Sequence, residues 1–230
     1  HRDQFVDLYH VPCEKTKNQI SSMTSKPIEV IPFWVNEEIW YNISNKNAIR
    51  KKYGIDESVF LVGSFQRDTE GHDLISPKLE KGPDLFCDAV EKISKARQEE
   101  GRQLRVLLAG WRRQYVMSRL QKAEIPYYYC EMPSFEVLNE LYNTLDLYVV
   151  ASRYEGGPQS IVECAATETP IISTDVGLAA DFLAPESIFL PGRSMEAKIN
   201  TSVPLEKVSN ILMPKGFEAF KKMFDLVHSL

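Results

Sequence analysis

The sequence predicts an α/β fold, a doubly wound, Rossmann-like parallel sheet. Two observations carry the prediction. Strand-like and helix-like segments alternate along most of the chain, and the strand-like ones are almost continuously apolar rather than alternating. Strands of that kind are buried on both faces, which requires a parallel sheet with helices above and below it.

The elements follow in order. The stretch to about Ser25 is polar with scattered apolar residues and reads ambiguously. PIEVIPF supplies a short strand, Ile28 to Ile31, closed by Pro32. NAIRKKYGI predicts a short helix ending at Gly54, a favourable residue past a helix C-terminus. SVFLVGSF is the first strand of the alternating body. From Pro83 to about Glu100, Leu85, Phe86, Ala89, Val90 and Ile93 fall at helical spacing. LRVLLAG, IPYYYC, DLYVVAS, TPIISTD and ESIFLPG are the next strands. Between them, RRQYVMSRLQKAEI, SFEVLNELYNTL and PQSIVECAATE are helical. Crossovers between parallel strands are expected to be right-handed. The tail contains two helical segments separated by Pro214. The expected organisation is therefore a leading segment 1–26, an α/β domain 27–213 and a C-terminal helix 214–230.

Composition sets bounds. Apolar residues make up 43% of the chain and charged residues 26%, as in ordinary soluble domains. A net charge of −5 argues against a general nucleic-acid binder, which needs surplus Lys and Arg to neutralise phosphates. Cys13, Cys87, Cys130 and Cys164 are widely spaced, so neither a zinc site nor a disulfide framework is expected. No apolar stretch approaches the roughly 20 residues that span a bilayer, and no signal peptide is visible. The expected location is the cytoplasm. The chain opens on His1 rather than methionine, so an upstream segment is expected.

Ligands of open parallel sheets bind beyond the carboxyl ends of the strands. After DLYVVAS the chain reads SRYEGGPQSIVECAATETPIISTDVG. Gly156 and Gly157 permit close backbone approach, and Pro158 suits the first position of a helix. The amides near Gln159 and Ser160 would then point out of a helix N-terminus, which favours an anion. Glu155 would repel a phosphate, but it suits sugar hydroxyls. Glu163 lies among Ile161, Val162, Cys164, Ala165 and Ala166, where a carboxylate needs donors such as a ribose diol. On spacing alone, a solvated loop acid at 155 and an outward-facing helix acid at 163 remain open.

The run ASRYEGGPQSIVECAATETPIISTDVG resembles the E-x7-E segment of the retaining glycosyltransferases of family 4, which have the GT-B fold. PIEVIPFWVNEEIW resembles the linker strand that opens the family's C-terminal domain. VGSFQRDTEGHDLISPKLEKGPDLFCDAV resembles its KG segment with an inserted loop. The resemblance spans about Pro27 to Gly177. It implies the C-terminal, nucleotide-sugar-binding half of a two-domain enzyme, with 1–26 left over from the preceding domain, 27–213 as the donor-binding domain and the helix 214–230 packing back on that preceding domain. Such an enzyme transfers a sugar from a UDP- or GDP-linked donor to an acceptor glycan or lipid-linked glycan, with retention of configuration.

The resemblance also implies roles. Arg67 and Lys81 would contact the donor diphosphate and stabilise the departing nucleotide. Glu155 would hold the transferred sugar. Gly157, Pro158, Gln159 and Ser160 would supply backbone contacts, and Glu163 would bind the ribose. Cys130, Glu131 and Met132 would lie at the base. No cofactor and no metal are implied, and no DxD motif occurs. Asp68, Glu70, His72 and Asp73 in the inserted loop are read as a mobile polar loop rather than a metal cluster. Arg112 and Arg113 are read as a surface pair at a helix start, and YYYC as core. Acceptor binding, and peripheral contact with the inner face of the membrane, would fall to a preceding domain. His10 is no convincing substitute for that domain's acceptor-side histidine, and His72 and His228 are read as surface residues. The work implied is polysaccharide assembly. EGGPQ departs from the family's frequent EGFG, so sugar selectivity is expected to differ.

Three other classes compete. A nucleotide-sugar-binding module without activity would not need Arg67, Lys81, Glu155 and Glu163 together. An epimerase of GT-B-like fold would need acids from both halves. A dinucleotide oxidoreductase would need GxGxxG after the first strand, and VGSFQRD does not supply it.

Overall fold

The computed structural model describes residues 2–71, 73–199 and 201–229. Near the N-terminus, β1 (Tyr9–Val11), α1 (Glu14–Ile20) and β2 (Ile28–Val30) form a small unit, followed by α2 (Lys46–Lys52). The main body runs β3 (Phe60–Ser64), α3 (Pro83–Glu99), β4 (Leu104–Ala109), α4 (Gln114–Lys122), β5 (Tyr127–Cys130), α5 (Phe135–Thr144), β6 (Leu147–Val150), α6 (Gln159–Ala166), β7 (Ile171–Thr174), α7 (Ala179–Phe182) and β8 (Ile188–Phe189). Helices α8 (Leu205–Val208) and α9 (Lys215–His228) follow.

Six strands form one parallel sheet in the order β5-β4-β3-β6-β7-β8. The strands beginning with SVFLVGSF are its members. β2 is not one of them: it pairs with β1 in a separate two-stranded parallel sheet, Tyr9 opposite Ile28. The ambiguous first stretch thus holds a strand and a helix. Three residues of strand leave too little periodicity to read.

Alternate residues of each sheet strand enter different layers. Leu61, Leu107, Tyr148 and Ile171 pack with Leu141, Ile161, Val162 and Ala165, the face covered by α5 and α6. Val62, Leu108, Val149 and Ile172 pack with Phe86, Val90, Ile93, Val116 and Leu120, the face covered by α3 and α4. This two-sided burial is why the strands carry almost no polar residues. Each fully buried Leu or Ile contributes about 1.5–3 kcal/mol.

Ser134 caps α5 through the Val137 amide, as its position before the apolar run predicts. At the amino ends of β3 and β6, Asp146 accepts from the Leu61 amide and from buried Arg50, at 2.8 and 2.6 Å. The last helix, α9, rests on the β1–β2 unit. Phe220 packs edge-on against Trp34 and His10, with centroids 5.0 and 4.9 Å apart. His10 is held there, its Nε2 2.7 Å from the Ile31 carbonyl oxygen. All four cysteines are free. No described helix is long and apolar enough to cross a membrane.

Candidate functional site

The chain steps outward from β3 to β4 and β5, then returns to β6 on the other side of β3. The direction of winding therefore reverses between β3 and β6, and a crevice is expected beyond their carboxyl ends. Their pairing is short, Val62 with Leu147 and Gly63 with Tyr148. Past that point the strands separate. The Phe65 amide finds the Tyr148 hydroxyl at 3.0 Å instead of a ladder partner.

Two adjoining clefts open at this place. One of about 350 Å³ is lined by Phe65, Gln66, Lys81, Leu138, Tyr142, Tyr148, Glu155, Gly157, Pro158, Gln159, Ser160 and Glu163. The other, about 530 Å³, is lined from α1 by Lys15, Thr16 and Gln19, and from the sheet edge by Lys78, Lys81, Arg153, Glu155 and Asp175 among others. Lys81 and Glu155 belong to both clefts and form the partition between them.

The segment Glu80 to Asp84 and the turn after β6 are joined by several contacts. The Glu80 carbonyl accepts from the Arg153 and Tyr154 amides at 2.8 and 3.2 Å. The Arg153 guanidinium grips Asp84 with two bonds of 2.7 and 2.6 Å, which holds the Asp84 carboxyl below its usual range. Gly82 has φ of 60°, and a Cβ there would run into the Ala151 carbonyl. Only glycine fits both the conformation and the gap. Lys81 is thereby fixed, its Nζ 2.5 Å from Glu155 Oε1. Ser152 donates to the same oxygen at 2.9 Å, and the Gln66 amide holds the Lys81 carbonyl at 2.8 Å.

Behind the turn lies the N-terminal unit. Cys13 donates to the Gly156 carbonyl at 3.2 Å, and Pro12 covers Gly157. Lys15 crosses to Asp175 at 2.7 Å. The tightest neighbour is Gly177, with φ of 48°, where a Cβ would lie 2.7 Å from the Gly156 carbonyl oxygen. Gly156 and Gly157 themselves have ordinary backbone angles, so the close approach is made by Gly177. Pro158 precedes the helix as its cap residue rather than occupying its first turn. No side chain caps α6, which leaves its first amides directed at the cleft.

Glu163 sits one turn further along, half-buried. Its Oε2 accepts from the Tyr142 hydroxyl at 2.7 Å. Tyr142, Tyr148 and Phe65 pack together beneath it, with centroids 4.7 to 5.3 Å apart. Burial without a cation raises its carboxyl to about 7, and the Tyr142 hydrogen bond offsets only part of that.

Several expected residues are placed elsewhere. Arg67 lines neither cleft. Its Nε donates to the Thr69 carbonyl at 2.9 Å, and its guanidinium lies 5.9 Å from the Trp111 ring centre. Met132 is 71% exposed, in a left-handed conformation past the end of β5, and also lines neither cleft. Gln159, by contrast, lines the smaller cleft as expected, while its side chain donates to the Trp34 carbonyl at 3.1 Å. Arg113 is not a surface residue: it is fully buried with Asp68, Nε to Oδ2 at 2.7 Å. It also donates to the Ser64 and Ala109 carbonyls, so it pins the ends of β3 and β4 together. The inserted loop is correspondingly anchored at its base rather than loose. Thr69 donates to Asp68, and Asp73 closes a turn on the Ile75 and Ser76 amides. His72 lies outside the described residues. Among the described residues, no cluster of His, Cys, Asp and Glu could hold a metal ion. Ser152, Gln66, Tyr142 and Lys15 carry no local signal that singles them out in the sequence.

Known proteins share the family model and the fold. A sequence model described as "Glycosyl transferases group 1" matches residues 73–198, more than half of the chain. The lipopolysaccharide core biosynthesis mannosyltransferase LpsB of Rhizobium meliloti is 23% identical over 171 residues, 73% of this chain and 46% of that protein. Sucrose-phosphate synthase from Thermosynechococcus elongatus superposes with a TM-score of 0.74 at 16% identity, covering 98% of this chain and 59% of its own. HepE of Anabaena, solved with UDP-glucose, superposes with a TM-score of 0.75 at 15% identity, covering all of this chain and 65% of its own. The chain thus spans about half to two thirds of the length of these relatives. With the matched family model and the shared fold together, this chain belongs to the glycosyl transferases group 1 family.

Proposed function

We propose that this chain is the donor-binding, C-terminal half of a retaining, family 4 glycosyltransferase that transfers a hexose from a UDP- or GDP-linked donor. One observation carries the reading. Two acids, one lysine and an uncapped helix start converge on the crevice where the sheet reverses direction. The diphosphate meets the Gln159 and Ser160 amides and Lys81. The ribose hydroxyls donate to Glu163. The sugar hydroxyls donate to Glu155, which Lys81 and Ser152 hold in place.

Lys81 and the positive end of α6 stabilise negative charge as it develops on the departing nucleoside diphosphate. On this reading a divalent cation adds nothing to donor binding, and UDP or GDP binds equally well in EDTA and in magnesium. The acceptor, a glycan or lipid-linked glycan, is held by a preceding domain. The enzyme's work on this reading is polysaccharide assembly in the cytoplasm. This 230-residue chain alone then binds nucleotide but transfers sugar slowly or not at all. Turnover by this chain at the full-length rate contradicts that division of labour. A thermal-shift screen against UDP-, GDP- and ADP-sugars tests the donor assignment. One nucleotide class stabilises the chain, and Glu163→Ala abolishes the shift. No stabilisation by any of the three refutes it.

A further inference from the structure

We infer that Tyr142 is the positioning residue through which Glu163 selects a ribose diol: its hydroxyl engages one carboxylate oxygen and turns the other toward the cleft. The inference rests on the donor-site reading above and deepens it. Tyr142 is 1% exposed, so its hydroxyl has no bulk water to bond, and it is 2.7 Å from Glu163 Oε2. Oε1 accepts no hydrogen bond from any described residue, while Glu163 lines the cleft. One oxygen is therefore committed and the other available.

The orientation is fixed from below. The Tyr142 ring is wedged between Phe65, Trp40 and Tyr148, at centroid distances of 4.7, 5.6 and 5.2 Å. Tyr148 is itself tied to the Phe65 amide. A carboxylate whose angle is set before the ligand arrives loses less freedom on binding than one that must be ordered.

The groups that face Glu163 are few. Tyr142 comes from α5, Tyr148 from β6, and Cys164 is its neighbour on α6. Lys81 and Glu155 line the same cleft and are engaged with each other. With no cation beside it, Glu163 depends on the Tyr142 hydroxyl to favour its ionised form. The ionised form is the one that accepts from both hydroxyls of a diol. Removing that hydroxyl should therefore misdirect the acid and raise the pH at which it ionises. A residue that served only to pack the core would do neither once its ring is retained.

Calorimetry on this chain tests the inference, with UDP and GDP compared against their 2′,3′-dideoxy forms from pH 6 to 9. Carbon-detected NMR of labelled glutamate follows Glu163 in the same samples. In the wild type, the ribose form is expected to bind about tenfold or more tightly above neutral pH, the scale of a hydrogen bond to a charged group. Tyr142→Phe keeps the ring. It is expected to reduce that preference at least about threefold at pH 7.5 and to move the Glu163 midpoint upward. Tyr142→Met supplies the same reading if the Phe variant loses its cooperative unfolding transition. Glu163→Gln removes the pH dependence of the preference. If Glu163→Gln does so while both Tyr142 variants keep the wild-type preference and midpoint, the positioning role is wrong and the donor-site reading stands. If the wild type binds neither nucleotide, or binds ribose and dideoxy forms alike, the donor-site reading fails and the inference with it.

Discussion

Glu155 and Glu163 lie on one short stretch of chain, yet they occupy opposite electrostatic settings. Glu155 sits in a turn, against Lys81 and the Ser152 hydroxyl, both on the same oxygen. Glu163 sits on α6 over aromatic rings, with a single neutral donor and no cation. Burial over rings with no cation beside it leaves Glu163 close to its titration point. The difference suits different tasks. On the proposed reading, an acid paired with a lysine orients sugar hydroxyls and holds that lysine against a phosphate. An acid that titrates near neutrality ties nucleotide binding to pH.

The contrast can be broken most forcefully at Glu155. If the proposed reading holds, Glu155→Gln in the full-length protein is expected to lower kcat roughly a hundredfold, since it would remove a contact to the reacting sugar and the counter-charge of Lys81. Affinity for UDP or GDP should stay within about threefold, because the freed lysine still meets the diphosphate. Steady-state kinetics and calorimetry check the two halves of that statement.

Glu163→Ala should show the reverse pattern. Nucleotide affinity is expected to fall about tenfold to a hundredfold, the range for a hydrogen bond to a charged acceptor. Equal losses of affinity in the two variants would erase the distinction drawn here.

The pH dependence sharpens it further. With the Glu163 carboxyl near 7 in the empty site, nucleotide affinity should rise with pH through 7 and then level off, because the ribose hydroxyls prefer the ionised acid. The sign for folding is opposite. A carboxyl raised above its unfolded value near 4.3 contributes stability that is present at low pH and lost as pH climbs through 7. Glu163→Gln should therefore raise the Tm of the empty protein at pH 8 by a few degrees and leave it nearly unchanged at about pH 4. Differential scanning calorimetry at the two pH values reads this directly.

The smallest effect is expected at Arg67. Its guanidinium is occupied by the Thr69 carbonyl and the Trp111 ring and lines neither cleft. Arg67→Ala should change nucleotide affinity by no more than about twofold. Lys81→Ala should weaken it much more, and titration of both variants ranks the two cations.

These placements show what was readable in advance. Strand order along the chain, the turn after DLYVVAS and the assignment of Lys81 and the E-x7-E acids to one site follow from local pattern and resemblance, while the contact of Lys81 with Glu155 comes from the fold. Long-range pairing does not. Arg113 looks like any arginine at a helix start, and only the fold brings Asp68 to it from 45 residues away. Arg67 carries the right charge in the right segment, but its guanidinium lies by Trp111, which follows α3 and β4 in the chain. Gly177 reads as an ordinary turn glycine until the Gly156 carbonyl is seen against it. The strand and helix before Ser25 escaped notice because three residues of strand and a polar helix have no periodicity to display. Yet that unit supplies Pro12, Cys13 and Lys15 to the back of the site.

The most direct test is a crystal of this chain soaked with UDP and, separately, GDP. The account predicts the diphosphate at the start of α6 within reach of Lys81, and a ribose diol hydrogen-bonded to the Glu163 oxygen that Tyr142 leaves free. A nucleotide bound beyond a different pair of strands, or seated in the crevice with its ribose turned away from Glu163, would contradict it.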